Sequence, residues 1–121
     1  MILLDTSIWN DHRRKREEAV EFLLKRKQIL VHPFVIGEVA LGPMPRYDLV
    51  LQSLSELPQA VVASDPEVPL LIRQHSLMGS GIGYVDAHLL ASTKLQEGAR
   101  LLTRDKRLAR IATALDIGYE P

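Results

Sequence analysis

Short apolar runs, recurring between longer stretches with helical spacing, constrain this chain more than any other feature. Ile2-Leu3-Leu4, Ile29-Leu30-Val31, Ala60-Val61-Val62 and Leu101-Leu102 show no polar alternation. Strands read this way when both faces of their sheet are covered. Parallel strands need long crossovers, usually helices. The pattern therefore predicts an α/β three-layer sandwich with a central parallel sheet.

The intervening segments carry helical punctuation. Residues 14–27 place Ala19, Val20, Leu23 and Leu24 on one stripe. Pro33 suits a first turn, and Gly42, Pro43 and Pro45 stop the helix Phe34 to Leu41 that carries Glu38. A third helix spans Arg46 to Leu57, ending at Pro58. Asp65-Pro66-Glu67 opens a fourth, with Leu70, Leu71, Ile72 and Leu77 as its apolar members. Gly79, Gly81 and Gly83 form a flexible joint before a helix from Tyr84 to Leu95, and the last helix runs from Arg104 to Leu115. No repeat, low-complexity tract or long linker interrupts the 121 residues, so residues 1–121 read as a single domain.

Fifteen basic and fifteen acidic residues leave a formal net charge of zero, so no global field points to nucleic acid. The absence of cysteine excludes a disulfide framework, a thiolate zinc site and a cysteine nucleophile, and fits a cytoplasmic setting. The carboxylate at Asp5 leaves no room for a signal-peptide core at the start, and no apolar run reaches membrane length.

Ligands of open α/β sheets bind beyond the carboxyl ends of the strands. Asp5 directly follows the first apolar run and Asp105 closely follows the last. Glu38 lies about a helical turn past the second, and Asp86 opens the helix that precedes the last. Carboxylates gathered in one pocket repel unless a cation offsets them. Magnesium and manganese, which prefer carboxylate and water oxygens, are the usual answer. Such a site can activate water for phosphodiester hydrolysis. Each acid alone has a plainer explanation: Asp5 with Thr6 and Ser7 can cap a helix, Glu38 can be a solvated side chain, and Asp86 and Asp105 suit helical first turns. Capping does not account for Asp86 amid Tyr84, Val85, Ala87, Leu89 and Leu90, where a carboxylate needs a partner.

Four blocks, Ile2-Leu3-Leu4-Asp5-Thr6-Ser7-Ile8-Trp9, Val35-Ile36-Gly37-Glu38, Val85-Asp86-Ala87-His88-Leu89-Leu90-Ala91 and Leu102-Thr103-Arg104-Asp105, together resemble the PIN-domain ribonucleases, closest to VapC-type toxins. The resemblance implies a metal-dependent endoribonuclease, the toxin of a toxin-antitoxin pair. Asp5, Glu38, Asp86 and Asp105 would hold Mg2+ or Mn2+, with Asp5 and Asp86 central. Thr6, Ser7 and Thr103 would brace those carboxylates or contact substrate. It further implies an RNA substrate, a homodimer and a cognate antitoxin. The chain has Arg107-Leu108 where many relatives have Asp-Phe, and a glycine-rich loop where relatives carry a plainer one.

Arg13 to Arg16, Lys25 to Lys27, Arg100, Arg104, Lys106, Arg107 and Arg110 hold most of the positive charge. If Arg104, Lys106 and the Arg13 to Arg16 run rim the acids, they would guide phosphates; otherwise they are solvated helix faces with pairs such as Glu17-Glu21-Lys25. Trp9 and Tyr84 either stack on unpaired bases or sit in the core. The four histidines show no paired zinc spacing. Two other classes remain open: a non-catalytic RNA- or antitoxin-binding relative, and an aspartate-based phosphatase-like or receiver-like domain. Against the second, Ser7 stands where a dehalogenase-type site wants another Asp.

Overall fold

In the computed structural model, which describes residues 1–121, three strands form one parallel sheet. They are β1 (Ile2–Leu4), β2 (Ile29–Leu30) and β3 (Arg100–Leu102), in the order β2-β1-β3. Ile2 and Leu3 pair with Ile29 and Leu30 on one side, and Ile2, Leu3 and Leu4 pair with Arg100, Leu101 and Leu102 on the other. The central strand is buried throughout, as its unbroken apolar run predicts. Seven helices flank the sheet: α1 (Thr6–Arg14), α2 (Glu18–Lys25), α3 (Pro33–Ala40), α4 (Tyr47–Glu56), α5 (Glu67–Gln74), α6 (Tyr84–Leu95) and α7 (Lys106–Ala114). No helix is long and apolar enough to cross a membrane.

One contiguous apolar core joins the sheet to the helices. Leu3, at its centre, is fully buried. Leu3→Ala should therefore cost about 2–5 kcal/mol, the range for opening a cavity that its surroundings cannot refill. Urea unfolding is the check; a loss below about 1 kcal/mol would mean that the strand is not the centre of the core.

Three sequence expectations change. The run Ala60-Val61-Val62 is not a strand: Gln59 makes a single bridge to Val31, and Val61 and Val62 are 47% and 50% exposed. Only Ala60 and Ala63 of that stretch are buried, so the chain touches the sheet edge once and leaves it. A short apolar triplet does not distinguish these outcomes. The helix expected over residues 14–27 is shorter, since that stretch holds only Arg14, the end of one helix (α1), and then a second, α2 over Glu18–Lys25. The first stops at Arg14, beyond the buried pair Ile8 and Trp9, and Lys15 is extended. The basic run offers no apolar side chain to bury, so nothing carries the helix across it. The N–H of Glu17 then donates to His12 Nδ1 at 3.1 Å. Finally, α5 ends at Gln74 instead of reaching Leu77.

The Tyr84 to Leu95 helix is found with the expected bounds. Ahead of it, Gly81 has φ +89°, and a Cβ there would lie 2.7 Å from the Arg107 guanidinium. The backbone conformation is what favours glycine there, since the flexible end of Arg107 can move aside for a side chain. On the other side of the sheet, the tail returns: Tyr119 N–H donates to the Leu101 carbonyl at 2.9 Å, pairing the outer edge of β3.

Candidate active site

The C-terminal end of the sheet presents the acids. Asp5 follows β1 and caps α1, accepting the Ile8 N–H at 3.2 Å, while its own N–H donates to the Leu102 carbonyl at 3.2 Å. Asp105 follows β3 and caps α7, accepting from the N–H groups of Arg107 at 2.9 Å and Leu108 at 3.1 Å. Capping and clustering are thus not alternatives for these residues. A strand that ends beside a helix start delivers one carboxylate to both tasks.

Asp5 is only 5% exposed, and its two oxygens are held by different hydroxyls. Ser7 donates to Oδ1 at 2.5 Å and Thr103 donates to Oδ2. Each hydroxyl is itself oriented by a backbone donor: the Arg104 N–H reaches Ser7 Oγ at 3.0 Å, and the Asp105 N–H reaches Thr103 Oγ1 at 3.0 Å. Burial pushes the Asp5 carboxyl above the ordinary 3.8, and these hydrogen bonds oppose the rise by favouring the charged form.

On the other layer, Thr6 donates to Glu38 Oε1 at 2.6 Å, joining α1 to α3. Asp86, in the first turn of α6, accepts the Gly83 N–H at 3.2 Å. Its carboxyl is also raised above 3.8. Burial is the largest cause, the Gly83 hydrogen bond opposes it, and the charges of Asp105, Asp5 and Glu38 each add to the rise. All four acids therefore share one electrostatic neighbourhood. No three of them stand closely enough to enclose a metal ion as they are. A cation among them would offset the charges that raise Asp86. The donors are all hard oxygens, the set that suits Mg2+ or Mn2+.

The basic residues are arranged differently from a simple rim. Arg104 turns its guanidinium onto Asp11 at 2.8 Å and Glu17 at 2.6 Å, tying the loop after β3 to α1 and to the start of α2. Glu21 pairs with Arg16 at 3.3 Å, so the expected Glu17-Glu21-Lys25 ladder is replaced by these longer-range pairs. Trp9 is in the core, whereas Tyr84 is 56% exposed.

Sequence reasoning missed a buried pair of histidines on the helices that carry Glu38 and Asp86. His32 caps α3 by accepting the Phe34 N–H at 3.0 Å, and His88 lies 6.5 Å away between the rings of Phe34 and Tyr84. The Pro33 that follows His32 was the only local sign of a cap. Burial, aided by His88, lowers the His32 pKa from 6.5 to about 4. The unfolded chain therefore binds a proton here that the folded chain refuses. Stability from this group should fall as pH drops from 6.5 to about 4 and level off below, a loss of about 3 kcal/mol. In His32→Asn, which keeps a capping acceptor, that segment of the stability profile should flatten. Denaturant unfolding across this pH range reads it, and identical slopes in both proteins would refute the assignment.

The family model of the PIN domain matches residues 2–114. The chain belongs to the PIN-domain family. This PIN domain is 46% identical over 108 residues to Ribonuclease VapC32 of Mycobacterium tuberculosis in two strains, covering 89% of this chain and 87% of each relative. Its fold resembles the crystal structure of PAE2754 from Pyrobaculum aerophilum, with a TM-score of 0.64 at 16% identity, covering 91% of this chain and 83% of that one.

Proposed function

We propose that this PIN domain is an Mg2+- or Mn2+-dependent endoribonuclease and the toxin of a toxin-antitoxin pair. The observation that carries the reading is that Asp86, at the start of α6, lies near enough to Asp5, Glu38 and Asp105 for each of those three charges to raise its carboxyl. The likeness to Ribonuclease VapC32 supports RNA as the substrate and an antitoxin as the partner. A homodimer belongs to the same proposal.

Asp5 and Asp86 would be the central metal ligands, with Glu38 and Asp105 completing the set. When bound, the cation supplies a water acidified towards neutrality and a counter-charge for the phosphoryl oxygens. The chain's own part is positioning. Ser7 and Thr103 fix both oxygens of Asp5 before any ligand arrives, and Thr6 restrains Glu38. Hydrolysis by water leaves a 5′-phosphate and needs no covalent intermediate. An aspartyl-phosphate reading fits less well, because Ser7 stands where such a site wants a second carboxylate two residues after the first.

Incubating purified protein with a mixed RNA pool tests the proposal. Cuts are expected with Mg2+ or Mn2+, ending in 5′-phosphates, and none with chelator. Equal cutting in chelator, or 2′,3′-cyclic ends, would overturn it.

A further inference from the structure

A second charged feature adjoins the acids. The α1–α2 connection and the loop after β3 form a shallow, open cleft of about 420 Å³ lined only by Asp11, Arg14, Lys15, Arg16, Glu17 and Arg104. Four of these are basic and two acidic. The two acids are engaged by the one rigidly held base, since Arg104 donates to Asp11 at 2.8 Å and to Glu17 at 2.6 Å. The other three bases are loosely committed. Arg14 is 4.0 Å from Asp11 with its side chain 78% exposed, Arg16 pairs with Glu21 at 3.3 Å while 85% exposed, and Lys15 enters no ion pair. Exposed pairs of this kind contribute little and exchange readily. The cleft is thus built on a neutralised floor and presents three cationic side chains that remain available.

Its position gives the charge a purpose. Arg104 forms the floor, and its N–H holds Ser7, whose hydroxyl holds Asp5. The residue that floors the cleft with its guanidinium is thus also the one whose backbone N–H braces the most buried acid of the site through Ser7. A polyanion approaching a cluster of four carboxylates is repelled wherever those charges are not offset, so productive binding needs cations beside the acids. In a chain of zero net charge, those cations must be local.

We propose that the Arg14-Lys15-Arg16 cleft is a phosphate-binding subsite that receives the backbone of single-stranded RNA next to the scissile position. This rests on the nuclease reading for its substrate, but it concerns binding alone. The occupant is a phosphodiester backbone: the cleft contains no apolar residue, so it contacts charge and does not read bases. Arg104 acts on the site through Ser7 and through the cleft wall, as a positioning residue.

The test measures binding of a fluorescent 2′-O-methyl oligonucleotide, which cannot be cut, in chelator and at several salt concentrations. The triple variant Arg14→Ala, Lys15→Ala, Arg16→Ala should lower the magnitude of the salt slope by about 2, since single strands release about 0.7 counterion per neutralised phosphate. A second triple variant, Lys25→Gln, Arg26→Gln, Lys27→Asn, removes the same charge from the far end of α2. Asn is chosen at position 27 because Lys27 has φ 55°, which Asn tolerates. It should leave the slope within about 0.5 of the parent, well short of the change expected for the cleft triple. Circular dichroism confirms that both variants fold. Equal effects of the two triples would reduce the cleft to a general charge effect and overturn the inference, as would an unchanged slope in the first triple. Loss of binding only to an acidic peptide, with RNA unaffected, would reassign the cleft to a protein partner and also overturn it. Cleavage by the native chain with an unchanged slope removes the inference and spares the nuclease reading. Cleft-dependent binding without cleavage does the reverse.

Discussion

Asp86→Asn should reduce RNA cleavage by about a thousandfold or more while leaving the protein folded. The expected loss corresponds to about 4 kcal/mol of transition-state stabilisation, reasonable for a central ligand of a metal whose role is to activate water and offset phosphoryl charge. Stability should move the other way. A carboxyl whose folded pKa lies above its ordinary value is destabilising when ionised, and that penalty disappears only as pH falls through the folded value. The amide removes this charge from beside Asp105, Asp5 and Glu38, and its oxygen can still accept the Gly83 N–H. The melting temperature should hold or rise at neutral pH. Cleavage gels and thermal melts on the same preparation separate the effects. An inactive variant that is also unfolded would be uninformative about chemistry, so Asp86→Glu serves as the partner: it keeps the charge, shifts its reach, and should retain a measurable fraction of activity. Full activity in Asp86→Asn would remove Asp86 from the site.

Metal ions should control both stability and turnover. With Mg2+ or Mn2+ at a hundred times its dissociation constant, selective binding to the folded state contributes about 2.7 kcal/mol, enough for a rise in melting temperature of roughly 10 °C in a domain of this size. Chelator should abolish both this rise and cleavage. Metal binding would also offset the repulsion that Asp105, Asp5 and Glu38 exert on Asp86. In Asp5→Asn the increment should shrink to near zero, while one of the two hydroxyls, Ser7 or Thr103, still has the single amide oxygen to donate to. Differential scanning calorimetry with and without metal measures this directly. An undiminished increment in Asp5→Asn would place the cation elsewhere on the chain. Calcium tests selectivity: it tolerates the oxygen donors but not the octahedral geometry that catalysis prefers, so it should stabilise without supporting cleavage.

Much of this architecture was legible from local pattern. The alternation of apolar runs with helical stripes predicted a covered parallel sheet, and Ile2–Leu4, Ile29–Leu30 and Arg100–Leu102 supply it. The α6 bounds were readable because Gly83 and the apolar face of Tyr84 to Leu95 mark a start and a stripe. Ala60-Val61-Val62 misled, because an apolar triplet states that a segment prefers contact with a core but not which backbone it pairs with. The break between α1 and α2 was hidden for a related reason: helix propensity runs through Arg13 to Arg16 without interruption, and only the absence of anything for that stretch to pack against ends the helix.

The candidate acids were legible because fold grammar assigns meaning to position: a carboxylate just past a parallel strand stands at the end where ligands bind. The sequence by itself therefore determined the layer architecture and which acids belong to the C-terminal end of the sheet. Only the tertiary structure decided how they are held. The pairing of Asp5 with Thr103, of Thr6 with Glu38, and of Arg104 with Asp11 and Glu17 joins residues 98, 32, 93 and 87 positions apart. It also decided that His32 and His88 meet in the interior. Local pattern is written in side-chain period and burial, which neighbours in sequence share. Hydrogen bonds and ion pairs depend on distances of a few ångströms between distant segments, and those distances exist only once the crossovers have packed against the sheet.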